Sequence, residues 1–224
     1  MVAVVREAAL FSALDNDAAG NLLRSMTHLT PARGEVLFRE GEIGDRLYVI
    51  FEGKIKLGRS SGDGRANLLS LLGPGDMFGE LSLFDPGPRS ATATAVTDSC
   101  LYGLGHSDLR PWLRQRPEVG LSLLRQLSRR QRRSTEVFSD LVFHDTPRRV
   151  AKVLLDLSAR FGVPSEGGVY VRHDLTQGEL AQLVGASRET INKVLADFAG
   201  RGWLRSTARA VVLLDVERLR RRAR

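Results

Sequence analysis

The 224-residue chain contains one cysteine, Cys100, and only four histidines. A single thiol cannot form an intrachain disulfide, and it cannot supply the ligands of a zinc knuckle or an iron–sulfur cluster. We expect Cys100 to be a small buried thiol in a strand. No two histidines fall at strand spacing, so the sequence offers no metal site for a barrel enzyme, and we predict a protein that is not an enzyme. The histidines are His28, His106, His144 and His173.

Long apolar segments are also missing. Uninterrupted apolar runs reach only a few residues, as in 210–214, whereas a membrane-spanning helix needs about 20. Arg6 and Glu7 interrupt any signal-peptide core at the N-terminus. The expectation is a cytoplasmic protein with no membrane partner.

Charge is unevenly distributed along the chain. The net charge of +7 combines −4 over residues 1–109, +7 over 110–133, −2 over 134–143 and +6 over 144–224. An acidic first half followed by a basic second half indicates that the second half binds a polyanion.

Secondary-structure patterns change along the chain. Residues 3–28 predict one or two short amphipathic helices, with Phe11, Leu14, Leu22, Leu23 and Met26 facing inward. From residue 33 to about 104, glycines recur between short β-rich runs, a spacing typical of a sandwich or barrel. The clearest of these runs are residues 47–51, 54–57 and 68–72.

The most distinctive stretch is 73–96, GPGDMFGELSLFDPGPRSATATAV. Arg89 precedes a run of small residues, and an arginine fork together with close backbone N–H groups suits a phosphate. Glu80 follows a glycine and can accept hydrogen bonds from sugar hydroxyls. The stretch therefore indicates a binder of a small sugar phosphate, or else a glycine- and proline-rich connection with a surface ion pair.

A long helix follows Pro117. Between Pro117 and about Val142, Gly120 is the only glycine, which predicts roughly 39 Å of helix at about 1.5 Å per residue. A 4,3,4,3 spacing along one side is the seam of a two-stranded coiled coil, so we predict pairing with a second copy. The seam residues are Gly120, Leu124, Leu127, Gln131, Ser134, Phe138 and Leu141.

The segment 143–145 predicts a hinge before the next helix. Thr146 is the predicted N-cap of that helix, with Pro147 at its first position and Gly162 at its end. Residues 163–173 predict a short hairpin.

A helix-turn-helix is the strongest motif. Thr176 and Glu179 form a predicted capping box, Gly185 supplies the turn, and Ser187 caps a second helix. In this motif the N-terminal residues of the second helix contact base edges in the major groove. We assign Arg188, Glu189, Asn192 and Lys193 to base edges, and Thr176, Ser187 and Thr190 to phosphates or caps.

The remaining C-terminal segments support this unit. Residues 203–215 predict a hairpin, or wing, with its tip at 207–209. The basic tail 217–224 either touches DNA or ends as a solvated helix.

A glycine-rich barrel, a long pairing helix and a winged helix-turn-helix, in this order, resemble the Crp/Fnr family of regulators. The resemblance is to the cyclic-AMP receptor branch of actinobacterial type. It rests on residues 78–82, FGELS, on 89–91, RSA, and on 184–191, VGASRETI.

The resemblance implies an α+β fold in three parts. Residues 1–116 would form a double-stranded β-helix, or jelly-roll, that binds cyclic nucleotide. Residues 117–143 would form the dimerisation helix and hinge, and residues 144–224 the DNA-binding winged helix-turn-helix.

The same resemblance implies a ligand set for cyclic AMP, with no metal. Glu80 would hold the ribose and Arg89 the phosphate. Arg130 would brace the site, and Ser134 and Thr135 would meet adenine, Thr135 from the partner subunit. The full set is Gly79, Glu80, Leu81, Arg89, Ser90, Arg130, Ser134 and Thr135.

The implied function is a cyclic-AMP-responsive homodimer that binds palindromic double-stranded DNA resembling TGTGA-N6-TCACA and contacts RNA polymerase. Gln131 departs from the apolar seam residue that the family pattern implies. It predicts a weaker seam, or a dimer that reaches the DNA-binding arrangement without ligand. The alternative is therefore a regulator that binds DNA largely independently of cyclic nucleotide.

Overall fold

The computed structural model describes residues 8–60 and 66–224. These residues form two compact units, 8–59 with 70–133 and residues 60 and 66–69 with 134–224. The part of the sequence prediction at residues 3–7 lies outside the described residues.

The first unit begins with two short helices and continues as an antiparallel β-structure. Asp15 caps the second helix by accepting a hydrogen bond from the Ala18 N–H at 2.7 Å. The elements are α1 Ala9–Ser12, α2 Asn16–Ser25, β1 Thr27–Leu29, β2 Val36–Phe38, β3 Arg46–Glu52, β4 Ile55–Ser60, β5 Ala66–Leu72, β6 Met77–Phe78, α3 Leu81–Phe84, β7 Thr92–Ala95, β8 Cys100–Gly105 and α4 His106–Gln115.

Two four-stranded sheets face each other in this unit. Their strand orders are β1-β8-β3-β6 and β2-β7-β4-β5. The antiparallel register of β3 with β8 runs from Arg46 opposite Gly105 to Glu52 opposite Cys100. Strands of this kind alternate their side chains between core and solvent, and the inward-facing residues fill the space between the sheets.

The core confirms the predicted inward positions. Phe11, Leu22 and Met26 are buried and pack with strand residues such as Leu47, whereas Leu14 and Leu23 are partly buried against the same cluster. Cys100, predicted to be buried, is half-buried instead, at the end of β8 where it lies opposite Glu52 of β3. Its Sγ lies 3.2 Å from His28 Nε2, and burial raises the pKa of the thiol.

The long helix α5 spans Pro117–Phe143 and runs from the first unit into the second. Val119 and Leu123 of its first turns are buried, whereas Leu124 and Phe138 of the predicted seam are 60% and 69% exposed. An apolar stripe of this size on a helix marks a surface that packs against another element.

The second unit contains α6 Thr146–Phe161, β9 Gly162–Ser165, β10 Gly168–Arg172, α7 Gln177–Val184, α8 Arg188–Gly200, β11 Leu204–Ser206, β12 Ala210–Leu213 and α9 Val216–Ala223. The predicted N-cap Thr146 was wrong by one residue. Asp145 is the cap, since its Oδ1 accepts the Arg148 N–H at 2.9 Å, and Pro147 lies one position later than predicted. Strands β9 to β12 form a third antiparallel sheet, in the order β11-β12-β10-β9.

The helix-turn-helix has the predicted local geometry. Thr176 and Glu179 form both bonds of the capping box, and Gly185 has a left-handed φ of 72°. Ala186 N–H bonds back to the Ala181 carbonyl at 3.0 Å, which closes the turn. Ile191 is fully buried, so α8 is fixed against α7.

The predicted basic tail is the helix α9. Leu219 is fully buried, and α9 packs on α6. Arg222 Nη2 lies 2.6 Å from Asp145 Oδ2, which ties the tail to the start of α6. None of the helices in the described part of the chain is long and apolar enough to cross a membrane.

Candidate functional site

A small pocket of about 40 Å³ opens in the first unit between the end of β6 and the loop before β7. It joins residues from the 73–96 stretch with residues of β2, β4 and α5. The lining residues are Phe38, Leu57, Gly79, Glu80, Leu81, Ser82, Arg89, Ser90, Ala91 and Arg130.

Arg89 is the buried cation of this pocket. Its side chain is 4% exposed, and its Nη1 donates to the Gly79 carbonyl at 2.8 Å. The guanidinium carbon lies 4.2 Å from the centre of the Phe38 ring, a cation–π contact. The carboxylate Oδ1 of Asp45 lies 3.9 Å from Arg89 Nη2. Burial lowers the pKa of Arg89 because water is removed from the charged group, and an anion against the guanidinium would offset that cost.

Glu80 is the buried carboxylate of the pocket. It is 1% exposed, and its Oε1 accepts a hydrogen bond from Arg130 Nη1 at 2.7 Å. Arg130 lies on α5 and is 37% exposed. Because the pair is charged on both sides, its hydrogen bond is stronger than a neutral one. The contact joins the long helix to the pocket.

The pocket retains unused hydrogen-bonding capacity. Within residues 8–60 and 66–224, Glu80 Oε2 and Arg89 Nε are buried without a hydrogen-bond partner. A buried polar atom without a partner costs about 1–3 kcal/mol, more when it is charged. A ligand carrying both an anion and a hydroxyl donor satisfies both atoms, and a cyclic nucleotide has this combination.

Two glycines make the pocket possible. Gly79 has a φ of 76°, and a Cβ on it would lie 2.8 Å from Arg89 Nη1. A Cβ on Gly44 would lie 2.3 Å from Ser82 Oγ and 2.8 Å from Arg89 Nε. Both distances are shorter than van der Waals contact, so neither position has room for a side chain.

Four residues around Arg89 were not predicted as site residues from the sequence. Phe38, Gly44, Asp45 and Ser82 surround Arg89. Ser82 lies in the 73–96 stretch but received no predicted role, and no local signal marks Phe38, Gly44 or Asp45. These three reach Arg89 from a strand and a loop that are distant in sequence.

The predicted nucleotide ligands occupy two places. Gly79, Glu80, Leu81, Arg89, Ser90 and Arg130 line the pocket together. Ser134 and Thr135 lie one turn beyond Arg130 on α5 and are exposed.

A second polar cluster lies where α5 meets α6. Asp140 Oδ1 accepts from Lys152 Nζ at 2.5 Å and lies 2.6 Å from His144 Nδ1. Burial disfavours the charged carboxylate, but the hydrogen bonds of Lys152 and His144 outweigh it and lower the pKa of Asp140. Since Asp140 is ionised, His144 is the donor.

Arg149 of α6 bonds to the same region and to the helix-turn-helix. Its Nη1 donates to the His144 carbonyl at 2.8 Å. Nε donates to the Val184 carbonyl and Nη2 to the Gly185 carbonyl, both at 3.1 Å. The guanidinium therefore satisfies orphan carbonyls at the C-terminus of α7.

The predicted DNA-contacting side chains share one exposed surface at the start of α8. The inward face of α8 includes Ile191 and Val194, which leaves the other side to solvent. Its exposed residues are Arg188, Glu189, Asn192 and Lys193. This arrangement suits hydrogen bonding to base edges.

The predicted phosphate-contacting hydroxyls act as helix caps. Thr176 Oγ1 donates to Glu179 Oε2 at 2.9 Å, and Ser187 Oγ accepts the Thr190 N–H at 3.1 Å. Ser187 and Thr190 also bond to each other at 2.9 Å. Their hydroxyl groups lie at the N-termini of the two helices.

Two family models match the chain. Residues 30–116 match the cyclic nucleotide-binding domain, and residues 148–222 match the Crp-like helix-turn-helix domain. The first match contains the pocket except Arg130, and the second contains α7 and α8.

Relatives match over nearly the whole length. The chain is 51% identical over 221 residues to the CRP-like cAMP-activated global transcriptional regulator of Mycobacterium tuberculosis, covering 99% of each chain. The fold is similar to the catabolite activator protein of Thermus thermophilus, at 34% identity and a TM-score of 0.56, covering 96% of this chain and 98% of that one.

FixK2 of Bradyrhizobium japonicum shares the fold at a TM-score of 0.78 and 23% identity, over 88% of this chain and 96% of that one. These findings confirm the predicted α+β fold with a nucleotide-binding β-domain, a long helix and a C-terminal helix-turn-helix. The relatives are transcription regulators, not enzymes. The chain belongs to the Crp/Fnr family of DNA-binding transcription regulators, within its cAMP-activated, CRP-like group.

Proposed function

We propose that this protein is a cytoplasmic homodimer that binds cyclic AMP and, in response, palindromic DNA resembling TGTGA-N6-TCACA. RNA polymerase is the proposed further partner. The proposed parts are residues 1–116 for the nucleotide, 117–143 for dimerisation and 144–224 for DNA.

One observation carries the nucleotide assignment: Arg89 and Glu80 are buried at one pocket, and each has an atom without a partner. Arg89 binds the cyclic phosphate, assisted by Ser90. Glu80 keeps Oε1 on Arg130 and accepts the ribose 2′-OH on Oε2, so bracing and ligand binding do not compete for one oxygen. The backbone of Gly79 and Leu81 completes the cradle.

The exposed stripe on α5 supports the dimer. Leu124 and Phe138 are exposed apolar side chains on the predicted seam, and a second α5 would bury them. Pairing also provides adenine contacts, with Ser134 from the same protomer and Thr135 from its partner.

The α8 surface supports the DNA assignment. Arg188 and Lys193 suit guanine O6 and N7, Glu189 suits cytosine N4, and Asn192 suits adenine. Two such helices in a dimer contact half-sites about one helical turn apart, which explains a palindromic site.

Isothermal titration calorimetry with Arg89→Gln tests the nucleotide site. A charged hydrogen bond contributes about 1.5–3 kcal/mol, so we predict that cyclic-AMP affinity falls roughly 10- to 100-fold. Arg33→Gln is the matched control, because Arg33 is an exposed arginine of the same unit. Cyclic GMP is titrated in parallel to measure purine selectivity. Equal cyclic-AMP affinity in Arg89→Gln and the parent would refute the assignment.

The alternative remains a regulator that binds DNA without needing nucleotide. The Arg130–Glu80 ion pair favours it, since this contact joins the long helix to the pocket through protein atoms alone. Exposed Gln131 in the seam also favours it. Equal DNA affinity with and without cyclic AMP would select this alternative.

A further inference from the structure

The polar cluster at the end of α5 links three segments through one carboxylate. Asp140 lies in the last turns of α5 and is 16% exposed. Its Oδ1 contacts Lys152 of α6 and His144 of the connection. Because the carboxylate is largely sheltered from water, its bonds are less screened than those of surface ion pairs.

Other charged groups surround His144. Arg149 donates to its backbone carbonyl, and Asp145 follows it in the chain. Asp145 is itself held by Arg222 of α9. The Asp140 carboxylate is the anion that contacts both Lys152 and the His144 ring.

The residue after Asp140 packs on the helix-turn-helix. A Cβ on Gly185 would lie 2.6 Å from Leu141 Cδ2, so the Leu141 side chain occupies the space beside the turn. A rotation of the last turn of α5 therefore displaces either Leu141 or the turn that precedes α8. Interdigitated packing of this kind transmits displacement because it deforms little.

We propose that Asp140 is a positioning residue that clamps the end of α5 to α6 through Lys152 and His144. A displacement of α5 then reaches the turn at Gly185 and reorients α8. The clamp rests on the proposed function, because nucleotide binding is the event that displaces α5. Without the clamp, the last turns of α5 move independently of α6. Nucleotide binding then changes the DNA affinity less.

The test compares Asp140→Asn with the parent chain. Fluorescence anisotropy gives the DNA dissociation constant without and with saturating cyclic AMP, and calorimetry gives nucleotide affinity in the absence of DNA. We expect the DNA dissociation constant without cyclic AMP, divided by the constant with it, to be at least about fivefold lower in Asp140→Asn than in the parent. The nucleotide affinity stays within about twofold, since the variant leaves the pocket intact. Lys152→Gln also lowers the ratio. Asp140→Glu keeps the negative charge and should retain most of the parent's ratio.

Glu136→Gln is the control, because it removes one exposed carboxylate from the same helix, one turn before Asp140. It should leave the ratio unchanged. If Asp140→Asn also leaves the parent's ratio unchanged, the clamp is wrong and the proposed function stands. A ratio of one in the parent would overturn the proposed function, and the clamp with it.

Discussion

At the scale of single residues, the pocket depends on atoms brought into contact across the barrel. Arg89 is held by the Gly79 carbonyl and the Phe38 ring, and it is approached by the backbone of Gly44. A buried guanidinium with a free N–H is expensive unless a partner satisfies it. The same burial that raises this cost strengthens its interaction with an anion.

Gly44→Ala tests the close approach at Arg89. The added methyl would overlap Ser82 Oγ and Arg89 Nε. Overpacking costs about 1–3 kcal/mol of unfolding free energy, and displacement of Arg89 weakens cyclic-AMP binding as well. Thermal denaturation and calorimetry measure the two effects.

Gly20→Ala provides the control for this substitution. Gly20 lies within α2. A Cβ added there would lie 3.7 Å from the flexible Arg24 side chain, its nearest neighbour. The added methyl should stabilise the helix by roughly 0.5–1 kcal/mol. If Gly44→Ala matched Gly20→Ala in both measurements, Gly44 would have no role in shaping the pocket.

At the scale of elements, local rules predicted the helix-turn-helix well. The capping box at Thr176 and the left-handed Gly185 are set by neighbours within four residues, so the sequence alone contains their cause. The N-cap of α6 was harder to predict, because Asp145 and Thr146 are adjacent and both residue types are good N-caps. Asp145 is selected by a contact from α9, where Arg222 binds it, and that contact is distant in sequence.

The long helix makes a prediction about assembly. Phe138 is 69% exposed on the α5 seam, and Phe138→Lys would bury a charge without a partner in the dimer. Sedimentation velocity should give a dimer dissociation constant at least about tenfold higher than that of the parent. Glu136→Lys introduces the same side chain outside the seam and should leave the dimer intact. A Phe138→Lys protein that sediments as the parent does would show that the seam is not the interface.

At the scale of the whole molecule, the charge distribution and the order of the elements could be predicted from the sequence, whereas most long-range contacts could not. The acidic first part, the basic second part and the order of barrel, long helix and helix-turn-helix are readable from the sequence. Glu80 and Arg89 could be assigned to one site from the sequence because both lie in the continuous stretch 73–96. The contacts of Arg89 with Phe38 and Asp45 and the Asp140 cluster could not be predicted, because each joins residues brought together only by folding.

The central claim is that occupancy of the Arg89 pocket is coupled to DNA binding. The most direct measurement is a DNA-binding curve for a palindromic TGTGA-N6-TCACA duplex, recorded at fixed salt without and with saturating cyclic AMP. Typical coupling of about 1–3 kcal/mol predicts a roughly 5- to 150-fold gain in affinity with nucleotide, and the gain should be lost in Arg89→Gln. Curves that superimpose with and without cyclic AMP would contradict the account.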